Sequence, residues 1–322
     1  MSFESAAAAG TTRMGLGLAA LGRPAYITLG RDAELPSVRT VEAMRERAFE
    51  VLDAAYENGV RYLDAARSYG RAEEFLAAWL AHRPEVRDVT VGSKWGYTYV
   101  GDWRLDADVH EVKDHSAGAF ERQLAQTRAL LGDRLDLYQV HSVTPESPVL
   151  TDRALQEELA ALAAGGVTVG LSTSGPAQAE AIRAALALEV DGAPLFSTVQ
   201  ATYNLLETSA GTALAEAHEA GVAVIVKEAL ANGRLAGAGG LPPELNALAA
   251  STGSPVDAVA LAAVLQQPWA DVVLSGAVTA VDVISNLHAA GTALDGGQLA
   301  SLASLAEPAA DYWRHRSALP WT

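Results

Sequence analysis

The chain has 322 residues, half of them hydrophobic, with 23 basic and 39 acidic residues and a formal net charge of −16. That charge opposes binding to a nucleic-acid backbone or an anionic membrane surface, and no basic run offsets it. The sequence contains no cysteine, which removes disulfides, thiolate catalysis and cysteine-ligated metals from consideration.

The opening residues carry Glu4 ahead of a short alanine run, which fits neither the basic start nor the apolar length of a secretory signal. Residues 1–12 are expected to form a flexible extension. No apolar run approaches the ~18 residues a membrane span needs. The expectation is one cytoplasmic domain over residues 1–322, with neither nucleic acid nor membrane as partner. Oligomeric state is not legible.

Strand-like runs follow at residues 14–19, 61–64, 89–94, 135–141, 167–171, 198–201, 222–226 and 272–274. Helical spacing fills 43–58, 72–81, 117–131, 152–164, 176–188 and 208–220. Gly59, Gly132, Gly165 and Gly221 stand at or just past helix ends, where left-handed caps are expected. The strand runs are nearly continuous in apolar residues, the pattern of strands buried on both faces. Eight βα units in succession predict an α/β fold, a (β/α)8 barrel, with a doubly wound sheet as the alternative. Gly15-Leu-Gly17-Leu-Ala-Ala20 matches a dinucleotide fingerprint, but Gly22 and Pro24 interrupt the helix that should follow. The favoured reading places these glycines in a first barrel strand at a close approach.

Two stretches break the rhythm. Residues 22–38 form a Pro- and Gly-containing loop. Residues 95–115 read as a long loop carrying Trp95, Tyr97, Tyr99 and Trp103, and Trp95, Tyr97 and Trp103 are candidates to wall a substrate pocket. A helix and tail are expected over 295–322, with Trp313 and Trp321 among the residues that shape specificity. His110-Glu111 with His115 lacks the spacing of a helical zinc motif, so no metal site is expected.

The runs ending near residues 64, 94 and 141 deliver Asp64, Lys94 and His141, and Tyr69 follows five residues after Asp64. In a parallel barrel those strand ends share one face. Tyr69 would be a general acid for a carbonyl oxygen, and Lys94 would ease its proton loss. A unit charge at ~4 Å in an effective dielectric near 20 is worth about 4 kcal/mol, or roughly three pKa units before desolvation. Asp64 would pair the buried Lys94, and His141 would bond the substrate oxygen. None of the four supplies electrons, so a cofactor must bring the hydride.

Tyr62-Leu-Asp64-Ala-Ala-Arg-Ser-Tyr69-Gly70, Ser93-Lys94, Tyr138-Gln-Val-His141, Val169-Gly-Leu-Ser172, Val199-Gln200 and Ser275-Gly276-Ala277 together resemble the aldo-keto reductases, in that family's order. The resemblance implies a barrel that binds NADPH, and Asp64, Tyr69, Lys94 and His141 as its catalytic set. It also implies cofactor contacts from Gly17, Leu18, Ser172, Gln200, Leu230, Asn232, Gly233, Arg234, Ser275, Gly276 and Asn286. Thr173 stands where many members carry Asn, and Lys227 where many carry an aromatic. Lys227 is expected either to face the cofactor or to pair with Glu228. Gly276 and Asp282 fall where a base would grip a 2′-phosphate, which leaves NADH open beside NADPH. The implied reaction is reduction of a small aldehyde or ketone to an alcohol. The alternatives are a sugar or alcohol dehydrogenase, a lyase using Lys94 as Schiff base, and a cofactor-binding regulatory barrel.

Overall fold

The computed structural model describes residues 12–237 and 240–322, so the expected N-terminal extension, apart from Thr12, lies outside the described residues. Eight parallel strands close a barrel: β1 Met14–Gly17, β2 Tyr62–Asp64, β3 Thr90–Trp95, β4 Leu137–Val143, β5 Thr168–Thr173, β6 Thr198–Thr202, β7 Ala223–Lys227 and β8 Val272–Ser275. Each strand pairs with its neighbours in sequence, and β8 pairs with β1. Every strand read from the sequence is present, and the doubly wound alternative is overturned by the closure.

The main helices are α1 Val41–Glu57, α2 Ala72–His82, α3 Ala117–Leu131, α4 Arg153–Ala164, α5 Gln178–Leu186, α6 Gly211–Glu219, α7 Pro243–Thr252, α8 Val256–Leu265, α9 Ala280–Leu287, α10 Gly296–Ala303 and α11 Ala309–Ser317. Their starts are set locally. Thr40, Ser116 and Asp152 accept the orphan N–H groups of α1, α3 and α4. α1 then buries Met44, Ala48, Val51, Leu52 and Ala55, one face at helical spacing, against the barrel. No single helix among the described residues is long and apolar enough to cross a membrane.

A large core lies between strands and helices, and a second cluster gathers Tyr62, Leu137, Ile225, Val272 and Leu274 from four strands. Tyr62 fits because its neighbours lack side chains. A Cβ at Gly15 would stand 2.9 Å from the Tyr62 ring, and one at Gly92 2.5 Å from its hydroxyl. Gly15 thus serves strand packing, and the dinucleotide-fingerprint reading of that segment falls away.

Two expectations need correction. Residues 95–115 are not loop throughout: Trp95 ends β3, and Tyr97–Tyr99 pairs antiparallel with Glu111–Lys113 in a hairpin. The single C-terminal helix is two helices, α10 and α11, followed by a tail. That tail folds back on the loop after β1, where Tyr26 and Thr322 exchange backbone hydrogen bonds of 3.0 and 3.1 Å.

Candidate active site

Asp64 is the last residue of β2, and Lys94 the last but one of β3. His141 stands in β4, where the register against β5 shifts between Val140 and Val143. Ser142 occupies that bulge with φ of 54°, and its N–H donates to Ser172 Oγ at 2.8 Å. Tyr69 follows a tight turn after β2, in which Arg67 N–H donates to Lys94 O and Tyr69 N–H to Ala66 O, both at 3.0 Å.

The structure brings these four side chains together. Lys94 Nζ, fully buried, donates to Asp64 Oδ2 at 2.5 Å, to Ala65 O at 3.0 Å and to the Tyr69 hydroxyl at 3.3 Å. Asp64 Oδ1 accepts from Gln200 Nε2 at 2.9 Å and from the Tyr62 hydroxyl at 3.0 Å. Both carboxylate oxygens are therefore satisfied, as a buried charge requires. The Tyr69 and His141 rings meet edge to face at 5.5 Å, and Ser68 Oγ lies 3.4 Å from His141 Nδ1.

Burial decides the protonation states. It holds the Tyr69 hydroxyl well above its ordinary value, helped by the Asp64 carboxylate and opposed by Arg23. The lowering anticipated from Lys94 is thus outweighed. Burial also pushes His141 well below the usual imidazole range, and Lys94, Lys227 and Arg23 push the same way, so it is neutral at pH 7. Lys227 falls to about 8 through burial, against the pull of Glu228. Glu228 itself is held at about 2, because Arg316 and Lys227 outweigh its burial.

Asp64, Tyr69 and His141 line a cavity of about 510 Å³, a size that admits a small-molecule ligand. Of the other residues expected at the site, Gly17, Tyr97, Gln200, Lys227, Leu230, Asn232, Gly233, Ser275, Gly276 and Asn286 line it too. Lys227 satisfies both of its expectations in part. It faces the cavity, donates to Thr202 Oγ1 at 2.8 Å and stands 3.7 Å from Glu228.

The remainder lie off the cavity. Leu18 is packed in the core. Ser172 is taken up by the bulge, and Thr173 Oγ1 lies 3.4 Å from Gln178, so Ser174 lines the wall in their place. Arg234 turns away to Glu307 in a two-armed ion pair. Trp95 is buried against Phe120 and His115, with ring separations of 5.1 and 5.9 Å. Trp103 donates to Arg39 O at 2.7 Å and packs edge-on against Phe75.

Sequence reasoning missed Arg23, Glu34 and Arg316 on the cavity wall. In the sequence Glu111 marks only a metal-like cluster, and Glu228 only a partner for Lys227. Arg23 comes from the loop after β1, whose Gly22 touches Gly70 directly: a Cβ on Gly22 would stand 2.2 Å from Tyr69 O. The loop after β7 carries Glu228, Ala231 and Asn232 at φ of 49–56°, a run of left-handed residues of the kind that marks functional loops. A Gly-Arg-Pro triplet after a barrel strand was the available signal for Arg23.

The barrel, and four such groups at its strand ends, define an oxidoreductase class. The family model "Aldo/keto reductase family" matches residues 13–307, and the chain belongs to that family. An aldo-keto reductase of Strobilurus tenacellus is 31% identical over 203 residues, which cover 61% of this chain and 54% of that protein. An uncharacterized oxidoreductase of Bacillus subtilis is 24% identical over 61% of each chain. The matches thus span a little over half the length of these relatives. Among solved structures, a glycerol dehydrogenase of Gluconobacter oxydans superposes with a TM-score of 0.69 at 21% identity, over 92% of this chain and 91% of that one. An aldo-keto reductase of Klebsiella pneumoniae, solved with NADP and acetate, gives 0.66 at 22% identity over the same shares. At those identities the structures show the shared fold.

Proposed function

We propose that the cavity reduces an aldehyde or ketone to an alcohol with a nicotinamide dinucleotide, and that Asp64, Tyr69, Lys94 and His141 handle the proton. The observation that carries this reading is the Asp64–Lys94–Tyr69 chain of contacts beside a neutral His141. The site fits the cofactor. Gln200 Oε1 and Asn232 Oδ1, on residues that line the cavity, are buried without a partner among the described residues, so each can accept from a ligand N–H or O–H. Gly17 leaves room at the cavity wall, where among the described residues an added Cβ would meet only Ser275 O within 4 Å, at 3.5 Å.

A bound nicotinamide supplies the hydride. Tyr69, protonated at pH 7, holds a proton for the carbonyl oxygen as charge develops there. Lys94 at 3.3 Å then donates to the phenolate that remains, and Asp64 holds the lysine in place. Neutral His141 can donate a hydrogen bond to the same oxygen. The reverse reaction, oxidation of an alcohol, uses the same groups in the opposite order. The lyase alternative is disfavoured because Lys94 is buried behind Tyr69, outside the cavity lining. The groups for turnover being assembled, the regulatory-barrel reading has no observation in its favour.

A second observation bears on the dinucleotide. Glu34 and Asp282 line the cavity away from Tyr69, close enough that Asp282 raises the Glu34 carboxyl after burial has done so. Asp282 Oδ2 accepts from Thr279 N–H in the capping box of α9. The cavity cations are engaged elsewhere. Arg31 directs its five donors to backbone carbonyls, Arg316 grips Glu228, and Arg23 and Lys227 stand by the catalytic groups. Carboxylates suit ribose hydroxyls and repel a 2′-phosphate. We therefore favour NADH over NADPH.

The test is oxidation of NADH and NADPH followed against a panel of aldehydes, ketones, sugars and quinones. Turnover with at least one carbonyl, lowered about 10²- to 10⁴-fold with Tyr69→Phe, is expected. Turnover that is unchanged in that variant would refute the proton-donor role.

A further inference from the structure

Over the Tyr69 ring stands an ion pair that carries no proton in the proposed reaction. Arg23, only 1% exposed, holds its guanidinium 5.3 Å from the Tyr69 ring centre, against Tyr26 at 4.7 Å and Trp321 at 4.9 Å. Its Nε donates to Ala19 O at 3.3 Å, and its Nη1 to Ser68 O at 3.0 Å and to Glu111 Oε1 at 2.6 Å. Nη2 donates to no described residue, and Glu111 Oε2 accepts from none. Both residues line the cavity, with Arg23 on the loop after β1 and Glu111 on the hairpin after β3.

The pair thus offers a charged donor and a charged acceptor side by side, next to the reacting centre. A hydroxyl uses both, since it accepts through a lone pair and donates its own proton. An alkyl group would cover the two atoms and leave them unsatisfied, which is costly. A carboxylate would meet Glu111 and a guanidinium whose charge is already balanced.

Resting on the reductase reading, we propose that the Arg23–Glu111 pair selects carbonyl substrates bearing a hydroxyl on the adjacent carbon. These are 2-hydroxy ketones and 2-hydroxy aldehydes, whose reduction yields vicinal diols. Hydride adds to the carbonyl carbon, the C=O π pair moves to oxygen, and the Tyr69 proton completes the new hydroxyl. The neighbouring hydroxyl is bound and unchanged. Arg23 and Glu111 set specificity and take no part in the proton transfer.

Hydroxyacetone and butanone differ by one hydroxyl in place of one methyl, and they test the pair directly. The wild-type protein is expected to show a kcat/KM about 10- to 100-fold higher for hydroxyacetone, the range of a hydrogen bond to a charged group. Glu111→Gln and Arg23→Lys should bring that ratio down toward unity, mainly through KM for hydroxyacetone. Saturation-transfer NMR of the two ketones on the protein with NAD+ reads binding without turnover and should favour hydroxyacetone in wild type alone. Equal kcat/KM for the two ketones, or a higher value for pyruvate, overturns the proposal. If no carbonyl is reduced, the reductase reading fails separately. The NMR preference, present in wild type and lost in Glu111→Gln, would then still support the pair's role, and its absence would overturn it.

Discussion

The floor of the cavity and its surround are built by different rules. Asp64 and Lys94 stand in register with neighbouring strands, and His141 stands at the bulge of β4, which Ser142 N–H ties to Ser172 Oγ. Arg23, Glu34, Glu111 and Trp321 come from the segment after β1, which is not loop throughout because Arg31–Glu34 forms one helical turn, and from a hairpin and a tail, held by a few hydrogen bonds and ring contacts. On the proposed reading the floor specifies a reaction, while the surround specifies what enters it.

Substitutions in the two regions should separate into different kinetic classes. On the floor, Tyr69→Phe removes the proposed proton donor and leaves Gln200 and Asn232 in place. Its kcat is expected to fall about 10²- to 10⁴-fold with dinucleotide affinity near wild type, read by steady-state kinetics and fluorescence titration. A parallel loss of affinity would mean that the floor also builds the cofactor site. Next in size is a contrast in stability. Trp95→Ala, in the fully buried wall behind the floor, should cost about 3–5 kcal/mol in denaturant unfolding. Trp103→Ala, in the half-buried surround, should cost much less, because it loses one hydrogen bond and a partial contact.

Smaller effects are expected at the dinucleotide end. Glu34→Gln removes a repulsive carboxylate, and the ratio of NADPH to NADH affinity should rise roughly tenfold, about 1.4 kcal/mol. An unchanged ratio would place the 2′-hydroxyl elsewhere. An effect of similar size is a pH dependence. Lys227 is charged below about 8 when folded and below about 10.4 when unfolded. Between those values the unfolded chain holds the extra proton, so this residue makes stability rise with pH, by up to about 2 kcal/mol by pH 10. Dinucleotide affinity should move the other way, falling a few-fold as the ammonium is lost. Lys227→Met should flatten both curves, measured by denaturant unfolding and by titration at pH 7 and 9.5.

The same division explains what was legible. Each strand was readable because an apolar run between turn signals survives any choice of loop. The floor residues were readable because Asp64, Lys94 and His141 end or closely follow such runs. Trp95 misled for a related reason. It stands at the end of β3, where a difference of one residue separates a strand side chain packed on Phe120 from a loop side chain facing the cavity. Arg234 misled because its partner Glu307 lies in a distant segment, and nothing local marks the pair. Arg23 and Glu111, 88 residues apart in sequence, meet only once the hairpin has folded.

Gly22 and Gly70 touch through bare backbone, with Arg71 N–H donating to Gly22 O at 2.7 Å and a Cβ on Gly70 falling 2.4 Å from that same oxygen. The contact acts as an alignment pin, fixing the loop that bears Arg23 against the turn that bears Tyr69. Redesign for another carbonyl can vary positions 23, 111 and 321, provided the pin is kept. Alanine at position 70 would leave Tyr69 in the sequence and still displace the turn that carries it.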